Sequence, residues 1–70
     1  MNNIKIRFGR RIRELRTEKA FSQEKFAELT DLDRTYITSI ENGKRNISIT
    51  VIDKLSKGLE ISMSELLHEL

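Results

Sequence analysis

A chain of 70 residues with no cysteine and a single histidine, His68, can neither cross-link itself nor hold structural zinc. A chain this short buries only about 60% of the surface its unfolded form exposes, which leaves room for one core and no second domain. So small a core rarely supplies more than roughly 3–5 kcal/mol, and association with a second copy is the common reinforcement that remains. Length and composition therefore lead us to expect one domain, residues 1–70, that forms a homodimer.

The formal net charge is only +2, but it is unevenly placed. Residues 1–20 hold seven Lys or Arg against two Glu, whereas residues 21–40 and 41–70 are slightly acidic. A basic N-terminal segment of this kind is associated with nucleic acid or with anionic membrane. No apolar run approaches the ~18 residues of a membrane span, and no apolar core follows the first charges, so a cytoplasmic protein without membrane contact is expected. The sequence has no nucleophile elbow, glycine-rich phosphate loop or His-Glu-x-x-His motif. Neither an enzyme, a metal nor a cofactor is expected.

Helical periodicity runs through the whole chain, and proline is absent. Phe8, Ile12 and Leu15 mark a first helix from Ile4 to Glu18, with Asn2 or Asn3 placed to cap it and Gly9 tolerated inside at about 1 kcal/mol. Ser22 caps a second helix, Gln23 to Leu29, with an apolar face of Phe26, Ala27 and Leu29. Asp33 caps a third, Arg34 to Glu41, rooted by Ile37 and Ile40 and ended by Gly43. Ser48 opens a fourth that buries Val51, Ile52 and Leu55 and stops at Gly58. The run Ile47 to Ile52 is β-branched, but it has no hairpin partner and is read as helix. Ser62 and Glu65 fit a capping box for a last helix that carries Leu66, Leu67 and Leu70. The fold class predicted is all-α, with five helices.

Two short helices joined by Thr30-Asp31-Leu32-Asp33 have the form of a helix-turn-helix. Ala27 falls where the helices cross and must be small. Phe26, Leu32, Ile37 and Ile40 supply the apolar contacts that set the crossing. Asp31 occupies the turn position that demands left-handed backbone, which Asp tolerates better than most residues. An ordinary helical hairpin would not need this turn chemistry, these caps and the trailing Lys44-Arg45 together.

The stretch Ser22 to Asn46, SQEKFAELTDLDRTYITSIENGKRN, resembles the phage-repressor/Cro-like (XRE-type) helix-turn-helix family. Asp33-Arg34-Thr35-Tyr36-Ile37 with Arg45-Asn46-Ile47-Ser48 is similar to the controller proteins of restriction-modification operons. Asp31 stands where the family commonly has glycine, and no separate oligomerisation domain is expected beyond residue 70. The resemblance implies a compact lambda-repressor-like fold, an operator in double-stranded DNA, and autoregulation that activates at low occupancy and represses when a second dimer binds. Phage or mobile-element repressors and antitoxin-type autoregulators share these residues.

With the third helix as recognition helix, Arg34, Thr35, Thr38 and Ser39 face the major groove while Ile37 and Ile40 face the core. The Arg34 fork suits guanine O6 and N7, and Thr35 suits a thymine methyl or a polar base edge. Tyr36 reaches a phosphate or a flanking base. The family pattern places Gln23 against the DNA backbone, where it braces the recognition helix, and Asn42, Lys44, Arg45 and Asn46 along phosphates. Glu24 and Glu28, spaced i, i+4, are a solvated face or, as in transcription-activating relatives, a contact for the RNA polymerase sigma subunit. Leu59, Ile61, Met63, Leu66 and Leu70 exceed what one terminal helix needs, so they divide between the core and a two-fold interface. For the basic first helix, pairs such as Arg10 with Glu14 on a solvated face are the plainer reading. The rival from another class is a protein-interaction module that meets an acidic partner without DNA.

Overall fold

The structure, a computed structural model, describes residues 3–70. Its elements are α1 (Ile4–Glu18), α2 (Gln23–Thr30), α3 (Arg34–Glu41), α4 (Ile49–Leu59) and α5 (Met63–Leu66). No strand occurs among the described residues, and no helix is long and apolar enough to cross a membrane.

Each helix starts on a polar side chain that accepts a backbone N–H otherwise left without a partner. Asn3 accepts from Ile6, Ser22 from Lys25, Asp33 from Thr35, Ser48 from Val51 and Ser62 from Glu65, at 2.9 to 3.2 Å. Asn2, the other candidate cap, lies outside the described residues. At Ser62 only the serine half of the capping box forms among the described residues, and the last helix, expected to run to Leu70, ends at Leu66, so Leu67 lies in the turn that follows and Leu70 beyond it.

The core is made by Phe8 and Ile12 of α1, Phe26 and Ala27 of α2, Ile37 and Ile40 of α3, Leu55 and Leu59 of α4, and Leu66 of α5. Helix α1 packs on α3, α2 packs on both α3 and α4, and α5 closes against α4. Arg11 ties α1 to the end of α5, its Nη2 donating to the Glu65 carbonyl at 2.9 Å and its Nε to that of Leu66 at 3.3 Å.

Several expectations are corrected by this packing. Leu29 is 44% exposed, because the buried face of α2 turns through Phe26, Ala27 and Thr30. Thr30 extends α2 by one residue and satisfies its own hydroxyl on the Phe26 carbonyl at 2.8 Å. Leu59 and Leu66, read as partly interfacial, are 0% exposed within one chain and so have no surface left for a partner. Among the described residues Arg10 and Glu14 form no ion pair; the exposed i, i+4 pair is Asp53 with Lys57, at 2.9 Å.

Two glycines have reasons the sequence did not disclose. Gly58 does not end α4, which runs on to Leu59 and closes on Glu60 in left-handed backbone at φ 59°. A Cβ at Gly58 would lie 2.6 Å from Thr30 Cγ2, so its bareness lets α4 lie on α2. A Cβ at Gly9 would overlap the carbonyl oxygen of Ile40 and come within 2.9 Å of that of Glu41. Helix α1 can therefore touch the backbone of α3 only through a glycine. The Gly9→Ala variant gains about 1 kcal/mol of helix propensity but meets rigid carbonyls. We expect a net loss of about 1–3 kcal/mol in denaturant unfolding; unchanged or higher stability would show that the crossing tolerates a methyl group.

Candidate nucleic-acid interface

The turn between α2 and α3 is set by Asp31, which adopts left-handed backbone at φ 57°, ψ 40°. The Leu32 N–H then donates to the Ala27 carbonyl at 3.0 Å, and Asp33 restarts the chain as a helix cap. Ile37 and Ile40, 0% and 2% exposed, root α3 in the core. Its first turn is thereby held outward, with Arg34 and Thr35 exposed and Tyr36, Thr38 and Ser39 half-buried.

Behind this surface lies an ion pair that the sequence reading missed. Arg16 Nε donates to Glu41 Oε2 at 2.6 Å and Nη2 to Oε1 at 3.1 Å. The two side chains are only 10% and 4% exposed. Arg16 Nη1 also donates to the Phe21 carbonyl at 2.7 Å, in a turn opened by Ala20 at φ 60°. The Gln23 Nε2 donates to Glu41 Oε1 at 3.1 Å, and Thr38 Oγ1 donates to Gln23 Oε1 at 3.0 Å. A single polar network thus runs from α1 through the start of α2 to the outer face of α3. The signal was present in the spacing: Arg16 falls on the same stripe as Phe8 and Ile12, and a charge on a buried stripe needs a partner.

The other candidate residues divide into two groups. Asn42, Lys44, Arg45 and Asn46 are all exposed at and beyond the end of α3. Arg45 is folded back, its guanidinium 4.9 Å from the centre of the Tyr36 ring and its Nε donating to Ser39 Oγ at 3.0 Å. Glu24 and Glu28 are exposed and line, with Asp31, Asp33 and Arg34, a shallow hollow beside the start of α3. Ile61, Met63 and Leu70 keep part of their surface exposed, unlike Leu59 and Leu66.

Asp33 is held below the ordinary aspartate range because its carboxylate accepts the Thr35 backbone N–H and, next, the Thr35 hydroxyl. Among the described residues no three His, Cys, Asp or Glu side chains gather as metal ligands.

The geometry has counterparts in known proteins. A helix-turn-helix family profile matches residues 12–66. The control protein C.MunI of Mycoplasma sp is 56% identical over 71 residues, covering all of this chain and 96% of its own length. The crystal structure of the restriction-modification controller protein C.AhdI from Aeromonas hydrophila superposes with a TM-score of 0.86 at 48% identity, covering 89% of this chain and 94% of that one. The C.Esp1396I tetramer, solved with its natural 35 base-pair operator, gives 0.86 at 35% identity over 94% of this chain and 87% of its own.

Removing one partner of a buried ion pair strands the other, which typically costs about 3–5 kcal/mol. Glu41→Ala should therefore leave this chain unfolded or nearly so by circular dichroism, whereas Arg16→Met combined with Glu41→Leu should recover most of the helix signal. A stably folded Glu41→Ala protein would contradict the burial. For Asp33 the folded value is the lower one, so its stabilisation is full above the ordinary aspartate value and is lost as pH falls through the folded value. On acidification below roughly pH 4 the melting temperature should fall more steeply for the wild type than for Asp33→Asn, a cap that does not titrate. Parallel acid limbs would remove the carboxylate from this role.

Proposed function

The chain belongs to the helix-turn-helix family, among its restriction-modification controller proteins, and on that premise we propose that it is a sequence-specific transcriptional regulator that binds a palindromic or pseudo-palindromic operator as a homodimer and controls its own restriction-modification operon. The observation that carries this reading is the exposed first turn of α3. The Arg34 side chain stands there without a hydrogen bond or ion pair among the described residues, on a helix braced from behind, in a chain that superposes on an operator-bound relative.

The roles of the side chains follow from chemistry. Arg34 offers a planar fork to guanine O6 and N7. Gln23 keeps a second amide N–H beyond the one given to Glu41, and this suits a phosphate at the start of α2. Asn42, Lys44, Arg45 and Asn46 extend the phosphate track past α3, with Tyr36 between them and the bases. Such contacts fix the register, while Arg34, Thr35, Thr38 and Ser39 specify sequence.

A two-fold dimer places two recognition helices about 34 Å apart on one face of the duplex. The apolar surface for it lies on α4, α5 and the start of α1. Ile49 is 73% exposed, and Ile4 and Leu67 join Leu70 around an apolar cleft of about 320 Å³. With Ile61 and Met63 these residues form the proposed seam, in place of Leu59 and Leu66. In the activating state the exposed acidic pair Glu24 and Glu28 is the surface offered to the polymerase sigma subunit, while occupancy by a second dimer represses. The chain's relatives are regulators rather than enzymes, and the proposed site of action is the cytoplasm.

Selection of duplexes from a random pool, followed by titration at two salt concentrations with light scattering, tests the proposal. We expect a palindrome bound by two chains, with a log–log salt slope of about −0.9 per phosphate contacted. Arg34→Ala should cost about 1–3 kcal/mol on the selected duplex and little on random DNA. Failure to enrich any duplex, without salt-sensitive binding, would turn the reading to a protein-interaction module. Leu67→Asp should yield a folded monomer with weakened operator binding; an unaltered dimer would move the seam elsewhere.

A further inference from the structure

Three hydroxyl groups lie on the DNA-facing side of α3, and each has one proton to give. The direction of all three protons can be deduced from their partners. Thr35 Oγ1 lies 3.0 Å from Asp33 Oδ1, and an ionised carboxylate only accepts, so Thr35 donates to it. The Gln23 amide must turn its NH₂ group to the Glu41 carboxylate, which leaves its oxygen toward Thr38 at 3.0 Å. Thr38 therefore donates as well, with the Arg34 carbonyl as a second acceptor at 3.1 Å. Ser39 Oγ receives the Arg45 Nε–H, so its own proton is free to go only elsewhere, and it goes to the Tyr36 carbonyl at 2.8 Å.

We propose that Thr35, Thr38 and Ser39 meet the operator as hydrogen-bond acceptors or through their carbon surface, never as donors, and that Arg34 is the one donor among the four base-reading side chains. This inference rests on the DNA-binding reading above. In the major groove guanine presents only acceptors, N7 and O6, whereas adenine and cytosine present an amino donor and thymine a methyl group. Guanine is accordingly read by Arg34 alone. Opposite Thr35, Thr38 and Ser39 the helix selects thymine through a methyl contact, or adenine or cytosine through an amino group.

The network behind the surface holds this polarity in place. For Thr38 to donate to a guanine, the Gln23 oxygen would lose the Thr38 hydroxyl as its donor, and the Gln23 amide cannot flip without setting its oxygen against the Glu41 carboxylate. For Thr35 to donate, Asp33 would give up a hydrogen bond at the cap of the recognition helix itself.

Selection from a random duplex pool, repeated with the wild type and with Arg34→Ala, Thr35→Val, Thr38→Val and Ser39→Ala, tests the proposal. Enrichment of any duplex by the wild type first establishes DNA reading; its absence defeats that reading and not the polarity argument alone. We expect each G·C preference at which 7-deazaguanine weakens wild-type binding, where it is attributable to these four residues, to vanish in Arg34→Ala, by tenfold or more, and to survive in the three hydroxyl-free variants; a G·C preference lost in one of those variants should be insensitive to 7-deazaguanine, as a cytosine amino contact requires. Loss, in Thr35→Val, Thr38→Val or Ser39→Ala, of a G·C preference at which 7-deazaguanine also weakens wild-type binding would overturn the proposal, as would a wild-type consensus with no guanine that depends on Arg34. Thermal melting identifies any variant that fails to fold. The wild type supplies a check that needs no substitution: with 7-deazaguanine at each selected guanine in turn, binding should weaken several-fold only at guanines bound through Arg34. The same loss at a guanine whose preference Arg34→Ala leaves intact would contradict the assignment.

Discussion

Arg16 and Glu41 come from α1 and from the last turn of α3, and they meet through two hydrogen bonds in the interior. Charges taken out of water gain little net stability from each other, and well-packed hydrophobic residues often serve as well or better. What this pair supplies that a hydrophobic pair would not is direction. Glu41 only accepts, so Arg16 and Gln23 both donate to it; Gln23 is then left with an oxygen for Thr38, and Thr38 must donate in turn. A buried guanidinium thereby sets the hydrogen-bonding character of an atom on the outer face of the recognition helix.

That arrangement depends on backbone proximity more than on side-chain volume. Gly9 brings α1 against the carbonyls at the end of α3, close to where Glu41 receives Arg16. Gly43, at φ 73°, turns the chain immediately after α3, and a Cβ there would lie 2.8 Å from Ile6 Cγ1. The turn packs on the start of α1 and is followed by Lys44, Arg45 and Asn46, all exposed. Arg45 then lies over Tyr36 and bonds Ser39. The exposed first turn of α3 and the segment that follows the helix are thus built on one contact between α1 and α3.

Much of this was legible in the sequence because local chemistry decides it. The caps Ser22, Asp33, Ser48 and Ser62 fixed where helices begin, and Asp31 with Ala27 marked the helix-turn-helix. The outward placement of Arg34 and Thr35 followed from rooting α3 by Ile37 and Ile40. Features that depend on residues distant in the chain were not legible in the same way. Gly9 and Gly58 read as a tolerated defect and a helix stop, because the carbonyls and the threonine methyl that crowd them belong to other helices. Leu59 and Leu66 were divided between core and interface because hydrophobicity alone does not say which neighbour covers a leucine. Arg16 is one of the seven basic residues of the N-terminal segment, although its register with Phe8 and Ile12 places it inside.

Whether the buried pair sets the polarity of the outer face of α3 can be seen in the structure of the operator complex. With DNA bound, Glu41 is expected still to receive Arg16 and Gln23 while the Thr38 hydroxyl remains on the Gln23 oxygen. A complex in which Gln23 has left Glu41, with Thr38 turned to donate to a base, would contradict it.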